Sequence, residues 1–138
     1  MTQQALFKFL QPEGWKPASG YANGIMAEGM PIFLGGQIGW NAQQEFESDD
    51  LVDQIKQTLE NIRTILTAAG AEPHHVVRLT WYVTDKKDYT SRLREVGRAY
   101  RAVFGKHFPS MTMVQVADLV EERAKVEIEA TAVLPRAG

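Results

Sequence analysis

The 138-residue chain has no cysteine. That removes disulfides, thiolate metal sites and cysteine nucleophiles at once. It has no surplus of positive charge either: 15 lysines and arginines stand against 17 aspartates and glutamates, for a formal net charge of −2. A global basic field that would draw the chain to nucleic acid or to a membrane surface is therefore missing. No apolar run is long enough to span a bilayer, and Met1–Leu10 lacks the basic start and long apolar stretch of a secretory leader. With no cysteine and no leader, the expected location is cytoplasmic. Low-complexity tracts, linkers and readable repeats are absent, so one domain over 1–138 is expected from length. Histidine is scarce. His74 and His75 are adjacent in a loop after Pro73, whereas metal-binding pairs on a helix sit one turn apart, and His107 stands alone. No metal and no cofactor are expected.

What is present is an ordinary globular composition with strong local patterning. In the stretch Asp49–Ala69, apolar residues fall at Leu51, Val52, Ile55, Leu59, Ile62, Ile65, Leu66 and Ala69, which makes one face of a helix. Ser48, Asp49 and Asp50 supply its N-cap and Gly70 its end. A second helix is expected from about Asp88 to Phe104, with Tyr89, Leu93, Val96, Tyr100, Val103 and Phe104 on its apolar face. Strands are expected over Val76–Thr84 (Val77, Leu79, Trp81 and Val83 on one side), Met111–Val116 and Lys125–Val133, with a short edge strand at Phe7–Leu10. Gly24–Ala27 and Pro31–Gly36 read as a hairpin turning at Glu28-Gly29-Met30. The order β-β-β-α-β-α-β-β makes an α/β chain with two helices for one face of a sheet. The other face, carrying Thr80, Tyr82, Glu127, Glu129 and Thr131, would be left half polar and half apolar. A second subunit is the usual cover for such a surface.

Several short motifs occur in a fixed order. They are Gly20-Tyr21-Ala22-Asn23-Gly24, Phe33-Leu34-Gly35-Gly36-Gln37-Ile38, Asn41, Asn61, Ala68-Ala69-Gly70, Val83-Thr84-Asp85, Pro109-Ser110-Met111, Val114-Gln115-Val116-Ala117 and Val126-Glu127-Ile128-Glu129-Ala130. None is specific alone, but the ordered set, from about Tyr21 to Val133, resembles the RidA family (also called YjgF or L-PSP endoribonuclease-like). The resemblance implies a chorismate mutase-like RidA fold: a mixed β-sheet with two helices packed on one face, assembled as a homotrimer with clefts between subunits. It implies hydrolysis of reactive imines and enamines, with Glu127 positioning the attacking water and Tyr21 lining the cleft. Typical active members carry Pro-Ala-Arg, the arginine binding the substrate carboxylate; this chain has Met111 there, and a thioether cannot replace a guanidinium. Met113 stands where a cysteine is common, Gly97 where many members have asparagine, and Gly35 where they have serine. The loop Asp118–Ala124 is one residue longer than the usual pattern, which makes its Arg123 the first candidate for a substitute cation.

The residues leave alternatives open. Glu127, on a strand between Val126 and Ile128, is either a general base at an interface or a salt-bridged sheet carboxylate. Gly35-Gly36-Gln37 either lets a ligand approach the backbone or forms a bulge, and it does not match a phosphate loop. Trp40, Met111 and Met113 either wall an adaptable apolar pocket or pack ordinarily. Arg94, Arg98 and Arg101, with Arg92, Lys86 and Lys87, make an RNA-facing stripe or the solvated side of an amphipathic helix; no stacking aromatics accompany them. The leading expectation is a homotrimeric small-metabolite protein hydrolysing an imine or enamine that is not a typical 2-imino acid. A non-catalytic ligand-binding or regulatory protein of the same fold is the alternative, and an endoribonuclease a third, disfavoured by the charge. No membrane partner is expected.

Overall fold

A computed structural model describes residues 7–136, so residues 1–6 of the stretch weighed as a leader, and residues 137 and 138, lie outside the described part. The elements are β1 Phe7–Leu10, β2 Gly24–Ala27, β3 Met30–Ile38, α1 Leu51–Ala68, a 3-10 turn Pro73–His75, β4 Val76–Val83, α2 Lys86–Thr90, α3 Leu93–Phe104, β5 Ser110–Gln115 and β6 Val126–Leu134. The main sheet has the order β3-β6-β4-β5. β6 runs antiparallel to both its neighbours, and β4 and β5 are parallel. The result is an α+β fold with a mixed sheet and its helices on one face. No helix among the described residues is long and apolar enough to cross a membrane.

The helical face forms the core. Ile55, Leu59, Ile62 and Leu66 of α1 and Val96, Tyr100, Val103 and Phe104 of α3 pack on Leu79, Trp81, Val83, Val126, Ile128, Ala130 and Ala132 of the sheet. Ile65, expected on that apolar face, is 37% exposed, because it lies about a quarter of a turn away from the Ile62–Leu66 line. Helix α1 begins at Asp50, whose carboxylate accepts the Asp53 N–H, and ends in a Schellman motif: Ala71 N–H donates to Leu66 O and Gly70 N–H to Thr67 O, with Gly70 at φ +77°.

Three expectations need correction. The second helix is two helices. The backbone leaves the helical region at Arg92 (φ −130°, ψ 32°), and the Arg92 side chain pairs with Asp50 at 2.7 Å, Glu95 at 2.7 Å and Asp88 at 3.5 Å, which ties the break to the start of α1. In β4 a register shift between Val76 and Arg78 turns Val76, rather than Val77, into the core. The hairpin is not a ladder: β2 pairs with β1, while β3 pairs with β6. The reason is local. Gly29 (φ +148°) lies so close to Leu134 O, 2.5 Å from where a Cβ would stand, that the chain turns onto the end of β6.

Gln54 is 1% exposed and fully employed: its amide N–H groups donate to Ser48 O (3.1 Å) and Arg123 O (2.9 Å), and its carbonyl accepts Lys125 N–H (2.8 Å). Gln54→Leu strands three part-buried backbone partners, so chemical denaturation is expected to show a loss of about 1–3 kcal/mol; an unchanged midpoint would show that this amide is dispensable. The Asp50–Arg92 pair makes a pH prediction. The guanidinium hydrogen bond holds the Asp50 carboxyl below its ordinary 3.8. A depressed folded-state value gives stability that is complete above the unfolded value and disappears as pH falls through the folded one. The melting-temperature gap between wild type and Arg92→Met should therefore be full at neutral pH and shrink below pH ~4.

Candidate functional site

The expected site residues fall into separate places on the protomer. The first is a cavity of about 400 Å³ on the helical side of β5. Met111 stands in register with Leu79, and Met113 with Trp81, so both point toward the helices, where they pack against the core. Met113 goes no further than packing. Met111 lines the cavity together with Trp81, Tyr89, Leu93, Tyr100 and Phe108. Ser19 and Gly20 close one side. The next residue, Tyr21, 45% exposed, faces an adjoining hollow of about 310 Å³ that shares Phe108. This segment is fixed on β5 by Ala22 N–H donating to Pro109 O at 3.0 Å and by a bridge between Ala22 and Ser110. Burial pushes the Tyr89 and Tyr100 phenols up from their ordinary values, so both remain neutral donors.

The second place is the open face of the sheet. Glu127 alternates with the buried Val126 and Ile128 and so faces away from the helices. Opposite it, β3 shifts register between Leu34 and Gln37, a bulge at Gly35-Gly36. The Glu127 side chain lies on the Gly36 backbone: a Cβ there would stand 2.8 Å from the carboxyl carbon. Gln37 is spent on the bulge, its amide donating to Gly35 O at 3.2 Å. Tyr82 is in register with Glu127 and donates its hydroxyl to Glu129 at 3.3 Å. The nearby Glu129 carboxylate is the main cause that raises the Tyr82 phenol. Thus the structure brings Glu127 and Gly36 together on the open face and puts Met111 on the opposite side of the sheet, while Tyr21 lines a separate hollow that shares only Phe108 with the Met111 cavity.

Trp40 lies in a third place. It shares an open hollow with Phe46, Val120 and Arg123, its ring 5.9 Å from that of Phe46. Its backbone carbonyl accepts a hydrogen bond from Asn61 at 2.8 Å, and the same amide donates to Ile38 O at 3.0 Å. Arg123 is committed there: Nε donates to Asp49 at 2.9 Å, and the guanidinium sits 5.4 Å from the centre of the Phe46 ring. It does not reach the Met111 cavity. The cation that does is Arg101, on α3. Sequence reading placed it in a surface stripe. The available signal was its spacing, four residues after Gly97, because helical side chains lean toward the N-terminus and cover the residue one turn back.

His75 and His107 are structural. His75 Nδ1 accepts the Glu72 N–H at 3.0 Å and closes the 3-10 turn, and burial lowers its pKa. His107 Nε2 lies 2.7 Å from Val76 O, and burial lowers it also. Among the described residues no group of three His, Asp or Glu could hold a metal ion.

A four-stranded mixed sheet under two long helices, with a glycine bulge facing a strand carboxylate, defines a class of small α+β proteins. The chain matches the family described as Endoribonuclease L-PSP over residues 13–134, and it belongs to that family, the one also known as RidA or YjgF. It is 36% identical over 118 residues to a RutC family protein of Pyrococcus horikoshii, covering 85% of this chain and 89% of that one. It is 34% identical over 116 residues to the 2-iminobutanoate/2-iminopropanoate deaminase of Salmonella typhimurium, covering 82% and 86%. The crystal structure of a Rid-family protein of unknown function from Yersinia pestis superposes with a TM-score of 0.79 at 29% identity, covering 93% of this chain and 98% of that one.

The bulge contact is testable by itself. Gly36→Ala should leave the fold intact, at a cost of about 1 kcal/mol, while forcing the Glu127 carboxylate aside. In a ¹³C spectrum of glutamate carboxyls the Glu127 resonance should move and that of Glu129 should not. Two unmoved resonances would show that the carboxylate does not rest on Gly36.

Proposed function

We propose that this protein hydrolyses a reactive imine or enamine metabolite, and that it works as a homotrimer in which the Met111 cavity of one subunit meets Glu127 of the next. The observation that carries the reading is the division of the site between two faces of one sheet. A protomer cannot join Glu127 to Met111 through its own strands, whereas a second subunit laid on the open face can. The open face favours such a partner: Phe33 is 76% exposed beside Thr131, and Val114 is exposed on β5. Membership of the family, and the deaminase activity named for a 34%-identical relative, support the reaction class.

The chemistry suits the groups. Water adds to the carbon of a C=N bond, a carbinolamine forms, and ammonia leaves as the C=O bond closes. A carboxylate that takes one proton from the attacking water and passes it to the imine nitrogen, then takes the carbinolamine hydroxyl proton and passes it to the nitrogen as ammonia leaves, balances both steps, and such proton transfer contributes about 10²–10⁴-fold in rate. That Glu127 lies against a backbone bulge and is hydrogen-bonded to no other side chain among the described residues supports its assignment to that work. The substrate is not gripped by a cation at position 111, so the small 2-imino acids are not its best substrates. RNA cleavage receives little support: Arg92 of the supposed stripe is enclosed by Asp50, Asp88 and Glu95, and Arg101 lines a cavity.

Two measurements test the proposal. Size exclusion with light scattering should give about three times the 15.5 kDa of one chain, and a monomer at micromolar concentration would refute the shared cleft. Imines generated by an amino-acid oxidase and trapped with semicarbazide should decay faster with the protein. Glu127→Gln should remove about 10²-fold or more of that acceleration, and Met111→Arg should raise turnover of 2-iminopropanoate. No acceleration with any imine would end the hydrolase reading.

A further inference from the structure

We propose that Arg101 is the specificity-determining cation of the cavity beside Met111, and that this cavity selects a small carboxylate with a bulky apolar body. The inference rests on the reading above that the cavity handles a metabolite, and it names the chemical class of that metabolite.

Geometry is the first support. Arg101 folds back along α3 over Gly97: a Cβ built on Gly97 would stand 3.0 Å from Nη1 and 3.7 Å from Cζ and Nη2. The guanidinium thus occupies the volume that a side chain at position 97 would fill. Among the described residues that line the cavity, Arg101 is the one that carries a charge. It is also free. Arg92 is paired with three carboxylates and Arg123 with one, whereas among the described residues Arg101 has no carboxylate within 4.0 Å and its side chain makes no hydrogen bond. A guanidinium fork without a partner matches a carboxylate in charge and shape.

The cavity walls are the second support. Trp81, 3% exposed, forms part of them. The walls fix the remainder of the ligand. Tyr100 stacks between Trp81 (6.3 Å) and Phe108 (5.4 Å), Tyr89 meets Trp81 edge-on at 6.5 Å, and Leu93 is 55% exposed in spite of its place on the apolar helix face. Such walls suit a ring or a branched chain better than a methyl group.

The probes are phenylacetate, its neutral counterpart phenylacetamide, and acetate, titrated calorimetrically into the full chain. Phenylacetate should bind, with the amide and acetate each weaker by about tenfold or more. Arg101→Met should erase the preference for phenylacetate over the amide. Arg101→Lys should keep part of it, and Gly97→Val, which displaces the guanidinium, should weaken it. Circular dichroism confirms that each variant is folded. Equal binding of acid and amide, an unchanged preference in Arg101→Met, or no binding of phenylacetate at millimolar concentration would overturn the assignment. Parallel imine assays separate this failure from that of the hydrolase reading. Arg101-dependent binding without turnover keeps Arg101 and removes the enzyme, whereas turnover of phenylalanine-derived imine that Arg101→Met leaves unchanged keeps the enzyme and removes Arg101.

Discussion

The side chain of Gln54 is the point on which the backbone around Glu127 depends. One buried amide joins the approach to α1, through Ser48 O, to the residue before and the residue after Ala124, through Arg123 O and Lys125 N–H. Gly39 packs on the same side chain so closely that a Cβ would stand 2.6 Å from Gln54 Cβ, and about two turns further along α1 Asn61 holds the carbonyls on either side of Gly39. The end of β3 and the start of β6 are therefore both referred to α1. Glu127 lies two residues beyond the Gln54 bond and Gly36 three before Gly39, so the contact between them is set by hydrogen bonds of fixed length rather than by apolar packing, which tolerates sliding. A buried polar group whose partners are all present specifies one arrangement, because every alternative leaves one of them unpaired.

The sheet imposes a second constraint. Side chains alternate in direction along a strand, and register with a neighbour fixes which face each one takes. Leu79 and Trp81 hold Met111 and Met113 to the helical side, while Tyr82 shares the open side with Glu127. No rotation of side chains moves Met111 and Glu127 into one cleft. A site that uses both must cross a boundary between chains, and the exposed Phe33 on β3 and Val114 on β5 give that boundary an apolar component at both edges of the sheet. Folding and assembly are in this sense one requirement for the proposed chemistry.

Much of this was legible in the sequence. The 3.6-residue period of Leu51, Ile55, Leu59, Ile62 and Leu66 gave α1, and the alternation of Val126, Ile128, Ala130 and Ala132 gave the core face of β6. Both patterns are written by burial, which acts on every residue of the element. The failures lie where a single long-range contact overrides local pattern. The period of the second helix runs through Arg92 without a break, yet the ion pair with Asp50, 42 residues away, bends the chain there. Nothing local in Val76–Val77 distinguishes a bulged strand from a regular one. The candidate residues were legible as motifs, but their division between two faces was not, since it follows from strand order and register. Arg101 is exposed, in keeping with its place in the polar stripe, but its position at the cavity was not legible: the hydrophobicity of a helix position says which way Cα–Cβ points, not where a flexible four-torsion side chain ends.

Gly97 bears on that last point. It sits within α3, where glycine costs about 1 kcal/mol relative to alanine because the unfolded backbone is freer and no methyl is buried. It forms no turn and has no positive φ, so backbone conformation does not call for it. What its missing Cβ does allow is the approach of the Arg101 guanidinium, within 3.0 Å of the space left vacant. Across the cavity, Met111 offers a neutral, flexible wall in place of the charged side chain that the family resemblance assigns to that position. Arg101 is exposed, so water screens its guanidinium, and a cation added on β5 would meet it across solvent. In this chain the charge that lines the cavity comes from the helix and not from the strand.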